Sequence, residues 1–299
     1  MSRIHEALKK LEEQRPPGWK PARPSPLDFI DEDSLPIEPG ILSSPKHGEM
    51  PAEGPYLRLE ELRRRSSKPG WKLNPDYDAF STIQSSVVCA EQFRTLRARL
   101  YRLREKNPVR TLLVTSTLPG EGKTFVSLNL ALAIARQHER RVLLIDADLR
   151  ASRLHVRMGA PSAPGLSDYL SGQADEFSII QADPKVELFL VPSGRSPLDP
   201  SELLANGILK GFLNQMSPVF DWIIVDAPPV LAVADAGIIA GYCDAVLVVV
   251  RAGKTPHDLV RTTLQEFPRN LLGVVLNDAS EGTSYGAYSY YAGYGMDKK

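Results

Sequence analysis

The chain is expected to fold as an α/β domain, doubly wound around a mostly parallel sheet. Three observations predict this. Apolar runs of strand length recur from residue 110 onward: "RTLLVTS", "RVLLIDAD", "VELFLVPSG", "DWIIVDAPP", "DAVLVVVRAG" and "LLGVVLND". Runs without polar alternation mark a sheet covered on both faces. Helical stretches fall between most of them, at 123–137, 200–215, 235–241 and 256–266, and alternating strands and helices give parallel order. A glycine-bearing loop, "TLPGEGKTF", joins the first run to the first of these helices.

The elements ahead of the sheet differ in character. Residues 1–14 place Ile4, Leu8 and Leu11 on one stripe, an amphipathic helix that can pack on its own domain or dock elsewhere. Residues 15–80 hold 12 of the 25 prolines, many charges and few clustered aliphatics. Such a segment buries too little surface to offset chain entropy and reads as a linker in a disordered N-terminal arm, its "RRR" at 63–65 solvated. The globular part spans 85–280 and opens with "CAEQFRTLRARLYRLRE". Phe93, Leu96, Leu100 and Leu103 repeat there at helical spacing, while Glu91, Arg94 and Arg97 share another side.

Residues 281–299 form a tail that holds five of the ten tyrosines: Tyr285, Tyr288, Tyr290, Tyr291 and Tyr294. Glycine, serine and alanine between them favour mobility over packing. By itself the tail is either a sticky aromatic end or a row of substrate hydroxyls.

Composition excludes several classes. The apolar fraction of 42% supports a real core, and a formal net charge of zero gives no strong field toward nucleic acid or anionic lipid. Cys89 and Cys243 form no C-x-x-C pair, so neither a zinc site nor a disulfide framework is expected, and a reducing compartment is. The N-terminus reads as a charged helical pattern, and a signal peptide is not expected there. The most apolar window, "VLAVADAGIIAGYCDAVLVVV", is interrupted by Asp235 and Asp244, so a membrane role requires a partner.

The chemistry is concentrated at strand ends. Gly120 and Gly122 let backbone N–H groups close around phosphate oxygens at the start of a helix. Lys123 then reaches the β- and γ-phosphates, and the Thr124 hydroxyl reaches Mg²⁺. The first glycine of the general G-x-x-x-x-G-K-S/T pattern is replaced by Thr117. Asp146 and Asp148 end a second strand and Asp226 another, and strand C-termini of an open parallel sheet face the ligand crevice. Three carboxylates beside a phosphate loop supply the oxygen donors that Mg²⁺ needs.

Together these residues resemble the bacterial tyrosine autokinases of polysaccharide export, the BY-kinases of the CpsD/CapB type, over about residue 86 to the end. "TLPGEGKT" is similar to that family's relaxed Walker A motif, "LLIDADLR" to its Walker A′ and "IIVDAPP" to its Walker B. "EQFRTLR" matches its E-x-x-R-x-x-R helix, "GLSDYLSG" and "DPSELL" are similar to further family segments, and the tail matches its autophosphorylated cluster. The loop after Arg150, "ASRLH", departs from the family, which more often has a basic or proline pair there.

The resemblance implies a MinD/ParA-like P-loop NTPase fold and an ATP- and Mg²⁺-dependent protein-tyrosine kinase. Pro119, Gly120, Glu121, Gly122, Lys123, Thr124 and Phe125 would bind the nucleotide, with Asn277 at the adenine edge. Thr124, Asp146 and Asp226 would hold the metal. Lys123, Asp146 and Asp148 would be catalytic, with either aspartate as base. Glu91, Arg94 and Arg97 would assemble a ring-like oligomer. Implied partners are a transmembrane polysaccharide co-polymerase as activator and a tyrosine phosphatase; nucleic acid is not among them. The implied location is the cytoplasm, with recruitment by a partner to the inner face of the cell membrane.

Two rivals share some of these features. A MinD- or ParA-like partitioning ATPase without kinase activity has the fold and the aspartates, but usually carries a lysine five residues before the loop lysine, where this chain has Leu118. A nucleotide-binding scaffold would not need Lys123, Thr124 and all three aspartates intact.

Overall fold

A seven-stranded sheet organises the chain, in the order β3-β4-β2-β5-β1-β6-β7. The computed structural model describes residues 59–81, 86–183 and 186–279. The N-terminal helix, residues 15–58 of the expected linker and the tyrosine tail lie outside the described residues.

Chain order runs α1 (Leu59–Arg65), α2 (Ser86–Lys106), β1 (Thr111–Ser116), α3 (Lys123–Ala135), β2 (Val142–Asp146), α4 (Leu154–Met158), α5 (Leu166–Leu170) and α6 (Glu176–Ile179). Then come β3 (Gln181–Ala182), β4 (Leu188–Val191), α7 (Pro200–Ala205), α8 (Ile208–Met216) and β5 (Trp222–Asp226). The chain continues through α9 (Asp235–Ala240), β6 (Ala245–Arg251), α10 (His257–Gln265) and β7 (Leu271–Asn277). Every strand pair is parallel except β3 with β4.

The uninterrupted apolar runs are explained by two cores, one on each face. Leu113, Leu143, Ile145, Ile223, Val225, Val246 and Val248 pack with α5 to α9 on one side. Their strand neighbours Leu112, Val114, Leu144, Trp222, Ile224 and Leu247 pack with α2, α3 and α4 on the other. Alternate residues point to opposite faces, so a strand buried on both needs apolar residues at every position. Edge strand β7 departs from this: Val274 and Leu276 are exposed.

The connection from β1 to β2 moves one way along the sheet, and that from β5 to β6 moves the other. The two part around β1, and the crevice at such a reversal is where open α/β sheets take their ligands.

Three sequence expectations are corrected. The helix expected over 200–215 is two helices, divided at Asn206–Gly207. Gly207 adopts φ +81°, and the Asn206 side chain accepts from the Ile208 amide at 2.9 Å. The antiparallel strand β3 was not anticipated, since two residues carry no periodicity.

The third correction concerns the linker. Residues 59–81 form a belt that packs on the domain. Leu62 of α1 is fully buried in the first core, and Ala79 is buried in the second. Between them the belt rounds the sheet edge: Ser67 bridges Gln181 of β3, and the Trp71 indole donates to the Gln181 side chain at 3.1 Å. The arginines of 63–65 are exposed, as expected for solvated charge, while Arg63 also pairs with Glu187, and Arg65 with Asp175, its guanidinium 3.6 Å from the Phe177 ring centre. Asn129 of α3 then holds the belt's far end, accepting from the Ala79 amide at 2.8 Å and donating to the Tyr77 carbonyl at 2.9 Å. Leu62→Ala is therefore expected to cost about 2–5 kcal/mol, as a buried leucine truncation does. Chemical denaturation measures it; an unchanged midpoint would return the segment to linker status.

Candidate active site

The phosphate loop begins where β1 ends. Only Gly120 (φ +82°) and Gly122 (φ +97°) take left-handed backbone between β1 and α3, so Thr117 needs no glycine and is fully buried. Gly122 caps α3, and a Cβ placed there would overlap Asn277 Nδ2. Gly120 has open space around it. Both alanine substitutions cost left-handed strain of about 1–2 kcal/mol, but Gly122→Ala is also expected to push the Asn277 side chain off the loop and to weaken nucleotide binding more than Gly120→Ala does. Titration with a fluorescent ATP analogue compares the two.

The Glu121 side chain turns into the protein and is almost fully buried. It accepts from the Leu118 amide at 2.7 Å and from the Thr255 hydroxyl, bracing the loop against the turn after β6. Its carbonyl accepts from Asn277 Nδ2 at 2.9 Å. Asn277 thereby joins the end of β7 to the loop, beside a cavity of about 280 Å³ lined by Gly120, Phe125, Arg251, Asn277 and Asp278. Phe125 lies edge-on to Phe93 of α2, with ring centres 5.7 Å apart.

Lys123 stands among the strand-end carboxylates. Its Nζ is 2.7 Å from Asp148 Oδ2 and 3.9 Å from Asp226 Oδ2. Burial works against its charge, but Asp226 and Asp148 outweigh burial and hold its pKa above the ordinary lysine value. Asp226 accepts from the Ser127 hydroxyl at 3.1 Å, and burial raises its pKa.

Asp146 is fully buried, and burial together with the Asp226 charge pushes its pKa up to about 7. Its Oδ2 accepts from Ser152 Oγ at 2.7 Å and from the Leu154 amide at 3.2 Å, while Oδ1 accepts from the Asp148 amide at 3.2 Å. Asp148 Oδ1 accepts from the Ala151 amide at 3.0 Å. Arg150 reaches away, to Asp235 at 2.9 Å and to Ser201 at 2.8 Å, tying the loop after β2 to the N-termini of α7 and α9.

The site thus gathers Pro119 to Phe125, Asp146, Asp148, Asp226 and Asn277. Glu91, Arg94 and Arg97 lie apart on α2. Arg94 pairs with Glu91, and Arg97 donates to the Ala133 carbonyl of α3. Sequence reasoning missed Ser127, Ser152 and His155. Ser127 had a signal, a hydroxyl one turn beyond Lys123 in an otherwise apolar helix. Ser152, in the loop after Arg150, and His155, at the start of α4, had only their place in the segment "ASRLH".

Among the described residues no helix is long and apolar enough to cross a membrane. The family model for the CobQ/CobB/MinD/ParA nucleotide binding domain matches residues 112–289. The tyrosine-protein kinase CpsD of Streptococcus agalactiae is 35% identical over 216 residues, covering 71% of this chain and 93% of the relative. The tyrosine-protein kinase ptk of Acinetobacter johnsonii is 36% identical over 203 residues, covering 67% of this chain but 28% of the relative, so this chain spans under a third of that longer protein. Among solved structures, the kinase domain of Escherichia coli tyrosine kinase ETK superposes with a TM-score of 0.60 at 34% identity, covering 66% of this chain and 80% of that one. The kinase domain of VpsO gives 0.58 at 31%, covering 64% and 97%.

Proposed function

The chain belongs to the bacterial tyrosine-protein kinases, within the CobQ/CobB/MinD/ParA nucleotide-binding family, and from that membership we propose that it moves the γ-phosphate of ATP onto its own Tyr285, Tyr288, Tyr290, Tyr291 and Tyr294 and so regulates exopolysaccharide polymerisation and export. Lys123 at the head of the phosphate loop, held between Asp148 and Asp226, carries the nucleotide half of this reading, and the likeness to tyrosine-protein kinases carries the choice of acceptor.

The donor set suits Mg²⁺, with Thr124, Asp146 and Asp226 as its holders. That cation takes one or two carboxylates and leaves its other positions to phosphate oxygens and water. Once bound, it offsets charge on the phosphates.

Lys123 exchanges Asp148 for the β- and γ-phosphates, and loop amides hold the phosphate oxygens. Transfer is then mainly positioning and charge stabilisation. A tyrosine hydroxyl has a pKa of about 10 and needs a base at neutral pH. Asp148 fills that role through Oδ2, the oxygen that Lys123 releases, since Asp146 has one oxygen taken by Ser152 and Leu154 and the other left for the cation.

Glu91, Arg94 and Arg97 assemble subunits into a ring in which a tail reaches a neighbouring site. Each phosphate adds roughly −1.5 to −2 charges, so phosphorylated tails repel and the ring disperses until a phosphatase resets it. A transmembrane co-polymerase recruits the cytoplasmic protein to the membrane and activates it.

The test is incubation with Mg-ATP, with and without a co-polymerase cytoplasmic tail, followed by phosphate mapping by mass spectrometry. Phosphate on residues 285–294 supports the reading. ATP hydrolysis with bare tyrosines would replace it with a partitioning ATPase.

A further inference from the structure

We propose that Ser152 and His155 are positioning residues for Asp146, holding its carboxylate in the orientation in which it meets the divalent cation of a bound nucleotide. This rests on the Mg-nucleotide reading above.

The chain of contacts is short and directional. Ser152 Oγ lies 2.7 Å from Asp146 Oδ2 and 3.0 Å from His155 Nδ1. Beside a bound cation Asp146 is ionised and only accepts, so in that state the serine proton points to Asp146. The serine oxygen must then accept from the imidazole, which places a proton on Nδ1. His155 so fixes the rotor of a hydroxyl that would otherwise swing freely. With the Leu154 amide also on Oδ2, that oxygen is saturated, and Oδ1, with one long bond to the Asp148 amide, keeps the free capacity.

The support behind His155 is firm. It sits on α4, whose Arg157 carbonyl accepts from the Asn74 amide of the belt at 2.9 Å. The Arg157 guanidinium lies 4.5 Å from the Tyr77 ring centre. Groups that hold a metal-binding side chain in orientation are commonly worth about 10–100-fold in metal affinity.

The experiment uses the full chain saturated with ADP and Mn²⁺ as probe, read by electron paramagnetic resonance. Ser152→Ala and His155→Ala are each expected to weaken Mn²⁺ binding about 10-fold, with ADP affinity in EDTA unchanged. The double variant should be no weaker than the worse single one, because the two act in series. His155→Asn, whose amide N–H can replace the imidazole donor, should recover most of the loss. Wild-type Mn²⁺ affinity in His155→Ala, additive losses, or an equal loss of metal-free ADP binding would each overturn the proposal. If the wild-type ADP complex binds no Mn²⁺, the Mg-nucleotide reading falls and takes the proposal with it.

Discussion

Lys123→Met is expected to reduce tail phosphorylation by about 10²–10³-fold, the usual cost of losing one preorganised charge-stabilising donor. The variant should stay folded. Lys123 is mostly buried between Asp148 and Asp226, and a methionine of similar length fills the same channel. Asp226, which burial already raises, responds to the loss of its partner by binding a proton, since a buried unpaired charge neutralises instead of persisting. Quantitative mass spectrometry of the tail, with circular dichroism as the fold control, measures both halves. A variant that keeps wild-type tail phosphate would remove Lys123 from the reaction.

Asp146→Asn is expected to act in opposite directions on activity and stability. Phosphorylation should fall by about 10²-fold or more, as for loss of a group that organises transition-state charge. The metal-free fold should become more stable at pH 8, by on the order of 2 kcal/mol. The sign follows from linkage. Burial, then Asp226, raises the folded pKa from 3.8 to about 7. The native state therefore holds a proton that the unfolded chain has released over that window. Stability is fully present below the unfolded value and is lost as pH rises through about 7. The slope is steepest between the unfolded value and about 7, and His155 opposes it only below its own unfolded value near 6.5, because burial lowers its pKa, so the difference in slope between wild type and variant isolates the carboxylate. Asparagine carries no charge to desolvate, and its oxygen can still accept from Ser152 and Leu154. Thermal melts in EDTA should show a pH slope in the wild type and a flatter one in the variant. A less stable variant at pH 8 would show that Asp146 is held ionised at no cost.

What was legible in the sequence followed physical locality. The strands could be read because burial on both faces demands unbroken apolar runs. The phosphate loop could be read because its glycines, lysine and threonine are contiguous. Strand-end aspartates could be placed because parallel topology sends all strand C-termini to one side. The belt could not be read. Leu62, Trp71, Leu73, Tyr77 and Phe80 have no common period, and they gain their burial only against a surface assembled from distant segments. Leu62 was outvoted by the prolines and charges around it. The loop after Arg150 showed its departure from the family in sequence, but the link from Ser152 to Asp146 exists only once the chain has turned back over the end of β2.

The belt also sets where a shortened form of this protein can begin. Cutting at Ser86 looks safe from composition, because everything before it is rich in proline and charge. Such a truncation would strip the cover from β3 and leave its outward amides and carbonyls available to any passing strand, together with the apolar floor on which Leu62 and Ala79 rest. An open edge beside a bare apolar surface is a recipe for aggregation. Expression trials starting at Leu59 should yield soluble monodisperse protein, and those starting at Ser86 should yield inclusion bodies.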